Sequence, residues 1–195
     1  MKLNSQACAE LEKVDNYLFN IFNVKKHTND CELETVVTYI FAKEGIFDSV
    51  PISKKKFLGF LKQIASMYKS ITYHNKTHAA DLAQTFYHYC TAGQMAQKCD
   101  VDQFELMTYV LAAACHDVEH PGFSNVYLIE TRHNLALRYN DKSVLENHHL
   151  ATTFDVLKMD ANKYDIFEQF DRDQYKRMRS IMIGAILSTD MSDHF

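Results

Sequence analysis

The sequence predicts an all-α fold: a compact array of many helices with no sheet. Three observations predict it. Only 5 Gly and 2 Pro occur in 195 residues, too few for a β-rich chain with many tight turns. Apolar residues recur at three- and four-residue spacing in segment after segment, and none alternates convincingly with a period of two. Acidic and amide residues stand at the starts of these segments, where helix capping needs them. The length suits a single domain, residues 1–195.

In chain order, Leu11, Val14, Leu18, Ile21 and Phe22 recur at helical spacing. Asn29 and Glu32 then read as a capping box, followed by a stripe of Leu33, Val36, Val37, Ile40 and Phe41 ending near Gly45. Pro51 and Ser53 open a helix with Phe57, Phe60, Leu61 and Ile64 on its inner face; Lys54, Lys55 and Lys56 form its solvated first turn. A helix starting near Tyr73 carries His74 and His78, on one face if both are helical, and continues through Leu82, Phe86 and Tyr89. Asp100 and Gln103 are expected to cap a helix with Phe104, Met107, Leu111 and Ala114 inside, ending at His116-Asp117. Val126 to Glu130 reads as a short helix and Asn140-Asp141 as a turn. Ser143 and Glu146 read as a capping box ahead of Leu150, Phe154 and Leu157. Asp171 and Gln174 cap the last helix, with Met178, Ile181, Met182, Ala185 and Ile186.

Composition excludes several functions. The chain is 47% hydrophobic and 24% charged, ordinary for a globular protein, and its formal charge of −4 leaves no basic surplus for nucleic acid. Cys8, Cys31, Cys90, Cys99 and Cys115 are odd in number and none is spaced Cys-x-x-Cys, so neither a disulfide framework nor a cysteine zinc site is signalled. Reduced thiols point to a cytoplasmic setting. The start Met1-Lys2-Leu3 shows no apolar signal core, and no apolar run is long enough to span a bilayer.

The chemistry concentrates in two stretches. One is Ala112-Ala113-Ala114-Cys115-His116-Asp117-Val118-Glu119-His120-Pro121-Gly122, where an apolar helix delivers a histidine and an aspartate to a forced turn. The other is Tyr73-His74-Asn75-Lys76-Thr77-His78-Ala79-Ala80-Asp81. Imidazole and carboxylate suit Zn²⁺ or Fe²⁺, while carboxylate and water suit Mg²⁺ or Mn²⁺, so such a site can hold two different metals, as in a phosphohydrolase. The competing reading makes His116 a helix-end cap on the dipole and Asp117 a turn residue. It leaves His74, His78, His120, His148 and His149 unexplained as a group.

These two stretches, with Tyr139-Asn140-Asp141-Lys142-Ser143-Val144-Leu145-Glu146-Asn147-His148-His149 and Thr189-Asp190-Met191-Ser192, come in the order of the class I cyclic nucleotide phosphodiesterase catalytic domain. The chain resembles that family from about Glu10 to its last residue. The resemblance implies a multi-helix fold of the HD-type metal phosphohydrolase kind. It implies hydrolysis of 3′,5′-cyclic nucleotides, cAMP or cGMP, to 5′-monophosphates in cyclic nucleotide signalling. By it, His78, His116 and Asp117 bind zinc, and Asp117 also serves a second metal, Mg²⁺ or Mn²⁺. His74 is the general acid. His120, Glu146 and Thr189 hold metal-bound waters, and Tyr73 and Met191 line the nucleotide pocket. For Glu146 the capping role beside Ser143 stays open. The block from Tyr139 to His149 disfavours other His-Asp phosphohydrolases, which do not need it.

The chain stops at Asp193-His194-Phe195, ahead of the family's second zinc aspartate and its purine-holding glutamine. That implies the N-terminal portion of a truncated domain, whose apolar stripes await a C-terminal half or self-association, with Asp190 as a stand-in for the missing carboxylate. The alternative to an enzyme is then a non-catalytic remnant that binds metal weakly or acts through protein contacts.

Overall fold

A computed structural model describes residues 3–194; what the sequence reading drew from Met1, Lys2 and Phe195 lies outside them. Thirteen helices follow in order: α1 (Ser5–Leu11), α2 (Ile21–His27), α3 (Glu32–Lys43), α4 (Ile46–Ser49), α5 (Lys54–Met67), α6 (Lys76–Cys90), α7 (Met95–Lys98), α8 (Gln103–Cys115), α9 (Asn125–Glu130), α10 (Asn134–Tyr139), α11 (Val144–Met159), α12 (Ala161–Tyr164) and α13 (Arg172–Leu187). A 3₁₀ turn, Met191–His194, ends the described chain, and no strand occurs among the described residues.

Helix α6 lies against α3 on one side and α8 on the other, and α8 lies against α13. The predicted stripe of α3 is wholly buried, as are Phe57, Phe60, Leu61 and Ile64 of α5. Phe41, Phe47 and Phe57 form an aromatic centre, with Phe41 and Phe57 ring centroids 4.4 Å apart. Each such side chain contributes about 1.5–3 kcal/mol through burial. Where α6 and α8 approach the histidines, both are built from alanine: Ala79, Ala80 and Ala83 on one, Ala112, Ala113 and Ala114 on the other, all buried. Small side chains let helix axes come close. A second small cluster of Leu128, Ala136, Val144 and Leu145 joins α9, α10 and the start of α11.

Helix starts depart from expectation where side chains found other partners. The Asp171/Gln174 box forms, with Asp171 Oδ1 accepting from Gln174 N–H at 2.8 Å and Gln174 Oε1 accepting from Asp171 N–H at 3.1 Å. The α8 box forms two residues later than predicted, from Asp102 and Glu105. Asp100 turns left-handed (φ +51°), and Gln103 donates across to Glu44 O. The Asn29/Glu32 box does not form: Asn29 and Asp30 are both left-handed, Cys31 takes the cap position, and Glu32 is buried against Thr77. The Ser143/Glu146 box does not form either, because Ser143 is left-handed (φ +39°) and its hydroxyl makes no cap bond.

The first apolar stripe is interrupted. Asn16 accepts from Leu18 N–H, and Asn20 caps α2. These side chains offer the backbone an alternative to continuous helix. Leu11, Val14 and Ile21 are buried, while Leu18 and Phe22 stand exposed. In α6 the buried face is rotated from the predicted one: Ala83, Tyr87 and Cys90 are inside, Leu82 and Phe86 half-buried, and Tyr89 exposed. Lys54 and Lys55 are solvated as expected, whereas Lys56 reaches Glu168 at 2.5 Å.

Candidate metal centre

Two helix ends meet at the site. The Asn75 side chain accepts from Thr77 and His78 N–H groups, so α6 starts at Lys76. His78 therefore stands in the first turn of α6. His74 precedes the cap and is not helical, contrary to the expectation of a shared helix face; its ring still lies 6.0 Å from that of His78. On the other side α8 ends at Cys115, with His116 as its C-cap residue. Tyr68, on the residue after α5, donates its hydroxyl to Ala114 O at 3.0 Å and accepts from Asp117 N–H at 3.4 Å. That hydroxyl satisfies groups the helix end leaves unpaired.

Three ligand-type atoms converge. His78 Nε2 and His116 Nε2 are 3.1 Å apart, and Asp117 Oδ2 lies 3.4 Å from the first and 3.0 Å from the second. His116 Nδ1–H donates to Ala113 O at 2.8 Å, which leaves Nε2 as the lone-pair nitrogen of the neutral ring. His116 thus turns a lone pair toward His78 Nε2, and Asp117 Oδ2 has no hydrogen-bond partner. A divalent cation resolves that arrangement, and the donor set of two imidazoles and a carboxylate suits zinc. A carbonyl bond at Nδ1, as His116 makes, is the kind of outer contact that orients an imidazole able to ligate.

A second group shares the same carboxylate: Asp117, His120 and His149. His149 Nδ1–H donates to Val118 O at 2.7 Å, so its Nε2 carries the lone pair, 3.7 Å from Asp117 Oδ1. His120 differs. Its Nδ1 accepts from Gly122 N–H at 3.0 Å, so the neutral ring presents Nε2–H, a donor. The rings of His74 and His120 stack at 4.0 Å and 14°, and those of His120 and His149 at 5.6 Å and 19°.

Protonation states follow from burial. It pushes the His149 imidazolium down to about 3; with the nearby charge of His74, it pushes His120 down to about 4. Burial and then His116 lower His78. Burial opposes the charge on Asp117, yet contact with His116 and the charges of His116, His149 and His74 hold its carboxyl well below the usual range. The lowering of His78, His120 and His149 favours neutral rings beside an ionised carboxylate, the states a cation requires.

A cleft of about 1150 Å³ opens over these groups. Tyr73, His74, His78, His116, Asp117, His120, Glu146, Thr189 and Met191 all line it. Tyr73 is exposed, its ring tilted at 38° to the His78 ring with centroids 4.6 Å apart; Met191 is exposed too. Thr189 donates its hydroxyl to Ile186 O. Glu146 Oε2 accepts from Asn125 Nδ2 at 2.9 Å, while Asn125 Oδ1 accepts from Leu145 N–H, so α9 holds the carboxylate that a capping box with Ser143 would use. Burial raises the Glu146 pKa. Asp190 is buried on the cleft wall with Oδ1 held by Ser192. Sequence reasoning assigned no role to His149, Tyr68 or Asn125. His149 was signalled by its place in the histidine group; Tyr68 and Asn125 carry no local signal, because their partners are distant in sequence.

The chain matches the family model described as 3′5′-cyclic nucleotide phosphodiesterase over residues 73–195. It is 35% identical over 190 residues to the mouse 3′,5′-cyclic-AMP phosphodiesterase 4C, covering 97% of this chain and 27% of that protein. It is 37% identical over 196 residues to the Drosophila melanogaster high affinity cAMP-specific and IBMX-insensitive 3′,5′-cyclic phosphodiesterase 8, covering 100% of this chain and 21% of that protein. Against the mouse dual specificity calcium/calmodulin-dependent 3′,5′-cyclic nucleotide phosphodiesterase 1B the identity is 32%, over 95% of this chain and 34% of the relative. The chain thus spans about a fifth to a third of the length of these curated relatives. The crystal structure of the phosphodiesterase domain of a RhoPDE fusion protein from the choanoflagellate Salpingoeca rosetta superposes with a TM-score of 0.76 at 34% identity, over 85% of this chain and 50% of that one.

Proposed function

The chain belongs to the 3′5′-cyclic nucleotide phosphodiesterase family, and from that premise we propose that its cleft hydrolyses 3′,5′-cyclic nucleotides, cAMP or cGMP, to 5′-monophosphates. The observation that carries this is the convergence of His78, His116 and Asp117, from the ends of two helices, inside a cleft roomy enough for a nucleotide.

His78, His116 and Asp117 would hold Zn²⁺, and Asp117, shared by the second group, would also serve Mg²⁺ or Mn²⁺. Bound cations supply Lewis acidity toward the phosphoryl oxygens and lower the pKa of water to neutral range. The chain's own residues do the rest. His120, through Nε2–H, and Glu146 and Thr189 on the cleft wall orient water and the phosphoryl group. As water oxygen bonds to phosphorus, the P–O3′ bond breaks and the 3′ oxygen needs a proton. His74 belongs to neither ligand group, and a ring nitrogen free of metal can deliver that proton. Its stack on His120 fixes the ring plane toward the cleft. Tyr73 and Met191 flank the nucleoside.

The test is cAMP and cGMP hydrolysis by the purified 195-residue chain with Zn²⁺ and Mg²⁺, beside His78→Ala and His74→Gln. His78→Ala is expected to lose both bound zinc and turnover. His74→Gln is expected to keep its zinc and lose roughly 10²–10⁴-fold in kcat. Full activity in His74→Gln removes the acid assignment. A folded, zinc-loaded wild type without turnover removes the reading of the cleft.

A further inference from the structure

Glu119 sits between Asp117 and His120 in the left-handed region, at φ +61°. Glycine adopts that conformation freely, and other residues keep it only when surrounding contacts hold them there. Those contacts come from one neighbour, α11. Glu119 Oε2 takes His148 Nε2 at 3.1 Å and the Thr152 hydroxyl at 3.3 Å. His148 and Thr152 are four residues apart, one above the other on that helix face. The preceding carbonyl, Val118 O, accepts from His149 Nδ1–H. Two successive residues of the turn are thus fastened to three residues of α11.

We infer that Glu119 is a positioning residue of the metal centre, clamping the turn that carries Asp117 and His120 against α11. The inference rests on Asp117 being a metal ligand. Rotation about the backbone of residue 119 moves His120 relative to Asp117, and the latter lies 3.7 Å from His149. With its carboxylate held at two points, that rotation is blocked. Glu119 does not line the cleft and touches no reacting atom, so it acts only through its neighbours.

Co²⁺ titration of the full 195-residue chain, followed by visible absorption, tests this beside thermal melting. Glu119→Ala removes the clamp and keeps the strain; Glu119→Gly removes both; Glu119→Gln keeps an acceptor of the same reach. Alanine and glycine variants are expected to lose affinity roughly 10–100-fold, as outer contacts of metal ligands do. Glutamine is expected to stay within a few-fold of wild type. The glycine variant is expected to melt no lower than alanine while binding Co²⁺ as weakly. Wild-type affinity in the glycine variant, or a glutamine variant as weak as alanine, overturns the clamp. Thr152→Val removes one of the two bonds without touching the turn; if Ala and Gly variants do not fold, unchanged affinity there overturns it instead. A wild type that binds no Co²⁺ refutes the metal reading itself and takes the clamp with it, and is recognised by all variants being equally blank.

Discussion

Replacing Tyr68 with phenylalanine removes one oxygen atom from a site that is 8% exposed. That oxygen donates to Ala114 O and accepts from Asp117 N–H. The substitution leaves a carbonyl and an amide at the end of α8 without this partner, each costing about 1–3 kcal/mol when buried and unsatisfied. Losing the hydroxyl's own desolvation offsets part of this, so a net loss of about 2 kcal/mol is expected. For a chain of this length that is a fall of roughly 4–8 °C in Tm. The amide in question belongs to Asp117, so metal affinity should fall too, by roughly tenfold. Thermal melts with and without Zn²⁺ read both effects. If Tyr68→Phe melts within about 1 °C of wild type, a water or a shifted backbone replaces the hydroxyl, and the helix end is not pinned as described.

Two further outcomes follow from the same contacts. His120 and His149 have folded pKa values below the free histidine value, so the unfolded chain binds their protons first; stability is full above about pH 6.5 and falls as acid takes the metal-free chain toward pH 4. At pH 5 the loss is on the order of 2 kcal/mol for each histidine, so the fall in melting temperature across pH 5–7.5 should shrink by about half in His149→Gln, with His120 supplying the rest. Asp171→Ala removes the acceptor of two N–H groups at the start of α13 and should cost about 1 kcal/mol in urea unfolding, with metal affinity unchanged.

Helix existence was legible because burial imposes a period, and α3 and α5 bury the residues their periodicity marked. Helix starts were less so. Asp171 with Gln174 and Ser143 with Glu146 have the same spacing, yet only the first pair forms a box. The second pair fails at both members: Ser143 is left-handed, and Asn125, some twenty residues upstream, takes the Glu146 carboxylate. Likewise Glu32 was drawn from its expected cap by Thr77, a partner 45 positions away. Short α10 went unseen, since six residues carry little periodicity. In the cleft, histidines and aspartate stand out by residue type. Which histidine offers a lone pair and which a proton is set by backbone partners, Ala113, Val118 and Gly122, that no side-chain pattern reveals.

The site gauges its scaffold. His78 rides on α6 and His116 on the end of α8, so the spacing of their nitrogens follows how two helices pack. Both helices bury alanines near these ends, Ala79, Ala80 and Ala83 on one and Ala112, Ala113 and Ala114 on the other. Enlarging a buried alanine forces neighbouring backbone to shift, at about 1–3 kcal/mol. A side chain that touches neither nitrogen can in this way change the distance between them.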